Sequence, residues 1–153
     1  MKNIFTVLLI TLSFAVNAQQ KPIKPTDLPA DVFEFIQTNF KETVVKTASK
    51  ETKEDTGLST YSVVLENKTE IDFKDSGSWK RIEGQGSPIP VTLIPKPFWD
   101  YVKKNYPQQE VTKIDKGSKE ILVKLVNGTE VIFNIHGQFV RIQKTANIEK
   151  SEN

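Results

Sequence analysis

Histidine and cysteine, the residue types that most often build metal centres and nucleophilic sites, are nearly absent from this chain. Its 153 residues include one histidine, His136, and no cysteine, so a zinc-type centre has no ligand set. His136 precedes Gly137, and Ser76 stands at the equivalent place 60 positions earlier, which points to a turn residue rather than a ligand or pH sensor. No serine sits in a G-x-S-x-G elbow, and His136 would have to be the base for any of them. Carboxylate pairs are the remaining option: Glu70 and Glu130 recur at one spacing, and Glu54 adjoins Asp55. Glu70 and Glu130 each follow a threonine in a strand pattern, where a cross-strand role is expected rather than acid–base work. "EGQGSP" lacks the third glycine and following helix of a phosphate loop. No catalytic, cofactor-binding or metal residue is therefore expected, and the chain is not read as an enzyme.

Two arginines recur as well. Arg81 and Arg141 each precede an isoleucine at the same offset, as strand-end residues that either lay their stems over a sheet or contact an acidic partner.

These repeated residues belong to a longer repetition. "LENKTEIDFKDSGSWKRI" (Leu65 to Ile82) returns as "LVNGTEVIFNIHGQFVRI" (Leu125 to Ile142) with eight identities, among them Asn67/Asn127, Phe73/Phe133 and Gly77/Gly137. Upstream, "DLPADVFEFIQTNF" matches "LIPKPFWDYVKKNY" at an offset of 66. Turn and core positions match together, which is the mark of a duplicated structural unit.

In each copy the upstream segment reads as a helix. Leu28, Val32, Phe33, Ile36 and Phe40 form one apolar stripe, and Ile94, Phe98, Trp99, Val102 and Tyr106 form the other. Thr26 or Asp27 is the expected N-cap. A short strand, around Val44 to Ser49 or Glu110 to Asp115, leads to the three antiparallel strands of the unit. Three-residue loops at Glu66-Asn67-Lys68 and Val126-Asn127-Gly128 put Tyr61, Val63, Leu65, Ile71 and Phe73 on one face, with Ile121, Val123, Leu125, Val131 and Phe133 as counterparts. Second turns at Asp75-Ser76-Gly77 and Ile135-His136-Gly137 set Trp79 opposite Phe73 and Phe139 opposite Phe133, so both aromatics are expected in the core beneath the helices. "KETKEDTGLST" reads as a polar excursion in the first copy.

The expected fold class is α+β: a tandem duplication of a helix plus three-stranded antiparallel β unit, with helices packed on one face of a shared antiparallel sheet. Expected divisions are a signal peptide (1–18), a leader segment (19–26), repeats 27–83 and 92–143 in one domain (27–143) joined by a linker (84–91), and a flexible tail (144–153). The signal rests on Lys2, the apolar run from Ile4 to Val16 and the Val16-Asn17-Ala18 cleavage pattern. It implies export to a bacterial periplasm or beyond, which suits a chain without disulfides. Without Lys2 the charges are nearly balanced, 20 basic against 19 acidic. Their interspersion excludes a nucleic-acid footprint or a polybasic membrane patch.

The helix opening "LP" or "IP", the hairpins around "NKTEIDF" and "NGTEVIF", and the "G-x-W" or "G-x-F" entry to the last strand resemble the PepSY-like, beta-lactamase-inhibitor-like family of exported bacterial proteins. The resemblance spans about residues 27–143. It implies a tandem helix-on-sheet fold and a binding or inhibitory role.

The function expected is that of a non-enzymatic protein-binding module, with inhibition or modulation of an envelope or secreted enzyme as its specific form. Leu122, Lys124, Val126, Glu130, Ile132 and Asn134, with Arg81 and Arg141, make the candidate partner surface, and Ile142 is counted on its apolar side. The competing expectations are a structural or assembly protein that forms a homodimer through the open sheet face, and a small apolar-ligand carrier.

Overall fold

The computed structural model describes residues 20–143. The signal peptide, its cleavage after Ala18 and the tail 144–153 lie outside the described residues. Nine strands form one antiparallel sheet in chain order: β1 (Lys21–Ile23), β2 (Val45–Thr52), β3 (Ser59–Leu65), β4 (Glu70–Lys74), β5 (Trp79–Glu83), β6 (Val111–Lys116), β7 (Glu120–Leu125), β8 (Glu130–Asn134) and β9 (Phe139–Gln143). Two ten-residue helices interrupt them, α1 (Ala30–Asn39) before β2 and α2 (Lys96–Asn105) before β6.

This overturns the expected fold class. The described residues form a single nine-stranded antiparallel open sheet with two short α-helices, not a tandem of helix-plus-three-strand units packed as helices on a sheet. The strand expected near Val44–Ser49 is a full member of the sheet. It runs on to Thr52 and pairs with β3 down to Thr52↔Ser59, where the two hydroxyls are 3.0 Å apart. The stretch read as a polar excursion is thus strand at both its ends, with only residues 53–58 outside the sheet, and the leader contributes β1, paired to β2 from Lys21↔Lys50 to Ile23↔Ala48.

The hairpin registers follow from turn chemistry. Lys68 and Gly128 take left-handed backbones, φ 70° and 83°, and close three-residue loops in which Asn67 and Asn127 accept from Thr69 N–H and Thr129 N–H at 3.0 Å each. Those loops set Val63↔Ile71, Tyr61↔Phe73, Val123↔Val131 and Ile121↔Phe133. All these residues but Ile121, which is half-buried, are buried in one apolar cluster. Val32 and Ile36 of α1 and Phe98 and Val102 of α2 enter the same cluster.

Prolines open both helices. Pro29 and Pro95 occupy the N-cap positions, and neither helix has a side-chain cap. Thr26 and Asp27, the expected caps, lie instead in a 3-10 turn, Pro25–Asp27. Phe33 leaves the expected stripe for solvent. Phe35 packs edge-on against Phe73 in its stead, ring centroids 5.4 Å apart.

The matched strands differ most at the ends of the two halves. Trp79 sits opposite Phe73 and Phe139 opposite Phe133, as expected, each beside a bulge. Burial does not follow the register. Trp79 is half-buried with the Lys116 ammonium 3.1 Å from its ring centre, whereas Phe139 is 45% exposed. The expectation of a core Phe139 fails because β5 is covered by β6 while β9 ends the sheet.

Candidate functional site

Strand parity sends alternate side chains to the other face of the sheet. There the ladder lines up Ser62, Asp72, Arg81, Asp115, Leu122, Ile132 and Arg141 in one cross-strand row, each directly paired with the next. A second row carries Glu70, Glu83, Lys113, Lys124, Glu130 and Gln143. Seven of the eight proposed surface residues thus project from this face: Arg81 and Leu122 two strands apart in the first row, Ile132 and Arg141 beyond them, Lys124 and Glu130 in the second row, and Asn134 opposite Glu120 at the end. Val126 lies outside the rows, in the loop after β7, and is exposed.

The apolar patch expected on this face is not presented. Ile132 is only 3% exposed, between Leu122 and Arg141, and Ile142 sits opposite Val131 on the core side. What the face offers instead is ordered charge.

Its centre is Arg81, half-buried on β5. Nη1 donates to Asp72 Oδ2 at 3.2 Å and Nη2 to Glu70 Oε2 at 3.2 Å, with a further bond to Glu83. Lys113 Nζ lies 3.4 Å from Glu83, and Gln85 Nε2 donates to the free oxygen of Glu70 at 2.7 Å. Burial alone would lower the Arg81 pKa. The bonds to Glu83 and Asp72 more than offset it and hold the guanidinium above its ordinary range. For Glu83, burial would raise the pKa, but the Arg81 bond and the Lys113 charge keep it below the usual carboxylate value. Beside this network a depression of about 490 Å³ is lined by Gln20, Ser49, Ser62, Asp72 and Arg81 among others.

The second half keeps only one of the three carboxylate positions around Arg81: Glu130 stands for Glu70, but Gln143 replaces Glu83. Ile132 replaces Asp72, so Arg141 has no carboxylate beside it on β8. It reaches Glu120 on β7 with two bonds, 2.6 and 2.8 Å. Lys124 Nζ stands 3.7 Å from Glu130. Of the carboxylates weighed for acid–base work, Glu70 and Glu130 are thus each beside a cation. Glu54 and Asp55 lie exposed between β2 and β3, and His136 is an exposed turn residue whose N–H donates to Asn134 Oδ1 at 3.0 Å. Among the described residues no group of three or more His, Cys, Asp or Glu could hold a metal. Sequence reading missed the partners of Arg81. The signal was available, since the hairpin registers already put Asp72 on the polar face, beside the arginine strand.

Replacing Arg81 by alanine leaves three neighbouring carboxylates short of a cation, and we expect a loss of about 1–2 kcal/mol at neutral pH. The pH dependence has a definite sign. Glu83 has a depressed folded-state pKa, so its contribution is complete above the ordinary glutamate range and is lost as pH falls through and below it. Denaturant titrations at about pH 7 and pH 4 should show a smaller acid loss for Arg81→Ala than for the parent. Equal slopes would refute the pairing.

An apolar groove of about 470 Å³ lies elsewhere, beside α1, lined by Phe33, Ile36, Phe40 and Val44 with Lys41 and Gln37 among its polar residues.

Three solved structures are similar to this chain. One is described as "a putative calcium-regulated periplasmic protein" of Bacteroides thetaiotaomicron, 30% identical, TM-score 0.74, covering 82% of this chain and 97% of that one. A second, from Bacteroides vulgatus, is "a putative periplasmic protein" of the DUF2874 family, 30% identical, TM-score 0.77, covering 84% and 99%. A third, described as "a putative periplasmic protein of unknown function" from Bacteroides vulgatus, is 28% identical, TM-score 0.75, covering 82% and 100%. No curated protein matches. The family model described as "Putative beta-lactamase-inhibitor-like, PepSY-like" matches residues 59–141, the stretch that carries β3 to β9 and nearly all of the charged face, and the chain belongs to that PepSY-like family.

Proposed function

We propose that the protein is an exported, non-enzymatic binding module that presents the open face of its sheet to another protein. Export is supported by the signal-like N-terminus and the periplasmic descriptions of the similar structures. No helix among the described residues is long and apolar enough to cross a membrane. The matching bulges and loops of β2–β5 and β6–β9 support descent from one duplicated unit.

The observation that carries the reading is the cross-strand row of paired charges around Arg81. A sheet fixes these groups in place before any partner arrives, which lowers the ordering cost of association. Their alternating sign favours one partner orientation over others. Four carboxylates, Glu70, Asp72, Glu83 and Asp115, stand there against Arg81 and Lys113, so the partner surface is basic or rich in hydrogen-bond donors. The inhibitor-like family description supports an enzyme of the envelope or of the secreted fraction as the specific target, held in an inhibited state.

Photo-crosslinking residues at Ser62 and Leu122, with one at the exposed Gln37 of α1 as control, test this in the exporting host. Capture of one protein from the first two sites and not from Gln37 is expected. Leu122→Asp should then weaken binding about tenfold or more, roughly 1.4 kcal/mol, with little change in melting temperature. Equal capture from both faces, or none, would sink the proposal.

A further inference from the structure

The sheet has two edges, and the chain treats them differently. β1 is three residues long and reads Lys-Pro-Ile; a proline without an N–H and an exposed lysine are devices that keep an edge from recruiting another strand. β9 has neither device in strength. It is five residues long, contains no proline and a single charge, and all five residues are exposed, Phe139, Val140 and Ile142 among them.

The molecule also shows what such an edge looks like when covered. β5 is the counterpart of β9. Both follow a three-residue turn, carry a bulge at the same place and point an isoleucine to the core side. The outer side of β5 is taken by β6, with Ile82↔Ile114 flanked by Arg81↔Asp115 and Glu83↔Lys113. Ile82 is fully buried as a result, whereas Ile142 is 38% exposed. Phe139 is stacked on Tyr101 of α2, centroids 5.0 Å apart and planes within 9°, and is otherwise open where Trp79 is capped by Lys116.

We infer that β9 pairs antiparallel with β9 of a second copy of this chain, extending the sheet through a twofold axis at Ile142. In that register Ile142 meets Ile142 on the core side and Arg141 meets Gln143 on the open face, so that among the described residues the contact is made by Arg141, Ile142 and Gln143 of each copy, the same three-pair, apolar-centre, polar-flank arrangement as the β5–β6 seam; Phe139 and Val140 lie outside it. Centring on Arg141 would set two guanidinium groups face to face, a destabilising pair. Each Arg141 stays neutralised by Glu120 of its own protomer. A second copy fits better than a head-to-tail chain of copies, because growth from β9 onto β1 would require the edge that Lys21 and Pro22 blunt. An isologous contact closes on itself. The dimer does not rest on the proposed partner face; it leaves that face free and joins two of them side by side.

The mature full-length protein should sediment at twice the protomer mass at micromolar concentration. Ile142→Lys should weaken self-association at least about tenfold with an unchanged circular-dichroism spectrum. Because the chain has no cysteine, Ile142→Cys supplies a second readout that does not depend on the lysine variant folding. At the axis the two sulfurs fall within disulfide reach, so mild oxidation should give a covalent dimer far faster than a Val126→Cys control. A monomer at about 100 μM, oxidation no faster than the control, or a dimer that survives Ile142→Lys would each overturn the assignment. The last would move the contact to another surface, and a heteromeric complex seen in place of the homodimer would give the edge to a foreign strand.

Discussion

Truncating Phe133 to alanine is expected to remove about 3–5 kcal/mol of stability. The ring is fully buried on β8, 4.8 Å from Phe98 and 5.2 Å edge-on from Tyr101 of α2. Truncation therefore opens a cavity and takes away the strand-side partner of two helix aromatics at once. A chain of this size should melt roughly 10–20 °C lower. Phe139→Ala, on the neighbouring strand of the same sheet, should cost only about 1 kcal/mol, chiefly its stacking on Tyr101. The pair of melts compares two aromatics that face each other across one register but differ in cover. Equal losses would mean that β9 is covered within the protomer, and would count against the edge pairing inferred above as well.

The second large effect is expected at Gly84, where the chain leaves β5. A Cβ there would lie 2.1 Å from the carbonyl oxygen of Ser87, a backbone atom that cannot swing aside as a side chain could. The turn it closes is tight: Ser87 N–H donates to Gly84 O at 2.9 Å, and Gly84 N–H donates to Thr112 O at 2.8 Å across the seam. Gln85 and Gly86 both take positive φ between them, 50° and 92°. Gly84→Ala must displace that turn and with it the start of the β5–β6 ladder, at a cost of about 3 kcal/mol. Gly57→Ala is the control. That glycine has nothing within 4 Å of its would-be Cβ, so its loss is confined to backbone strain at φ 69°. Chemical denaturation of both variants decides the point, and a Gly84 variant as stable as the parent would show that the turn is loosely held.

Local chemistry made most of the hairpins legible in the sequence. Asn67-Lys68 and Asn127-Gly128 announce three-residue loops, and once those are placed, only one parity buries Tyr61, Val63, Ile71 and Phe73 together. The short helices were legible for the same reason, from apolar spacing and flanking prolines. What escaped depends on non-local facts. β1 has three residues, too few to show a period, and Glu51 and Thr52 look like loop residues until Ser59 is seen beside them. Phe139 and Trp79 occupy matching sequence contexts, yet one strand is interior and the other terminal, a property of the whole sheet that no window around either residue contains. At the candidate site the strand parity was legible and the burial was not: Leu122 and Arg141 lie on the open face, but Ile132 is shielded there by its own row neighbours. Arg81 was noticed for its recurrence, while the carboxylates that hold it come from β4 and from its own strand, two residues on.

The order of the strands has a kinetic consequence. Each strand bonds only to its neighbours in chain order, so no pairing skips over another strand, and within β2–β5 and within β6–β9 the contacting strands are separated by short loops. All-β chains are usually slow folders because their ladders join remote stretches. Here each new hairpin can lie down on an edge that already exists, and a chain delivered with its N-terminus first can add β2 through β9 in the order they arrive. The only long intervals are those spanned by α1 and α2, so nucleation should be slowest where β2 finds β1 and where β6 finds β5, and zipping should be rapid everywhere else.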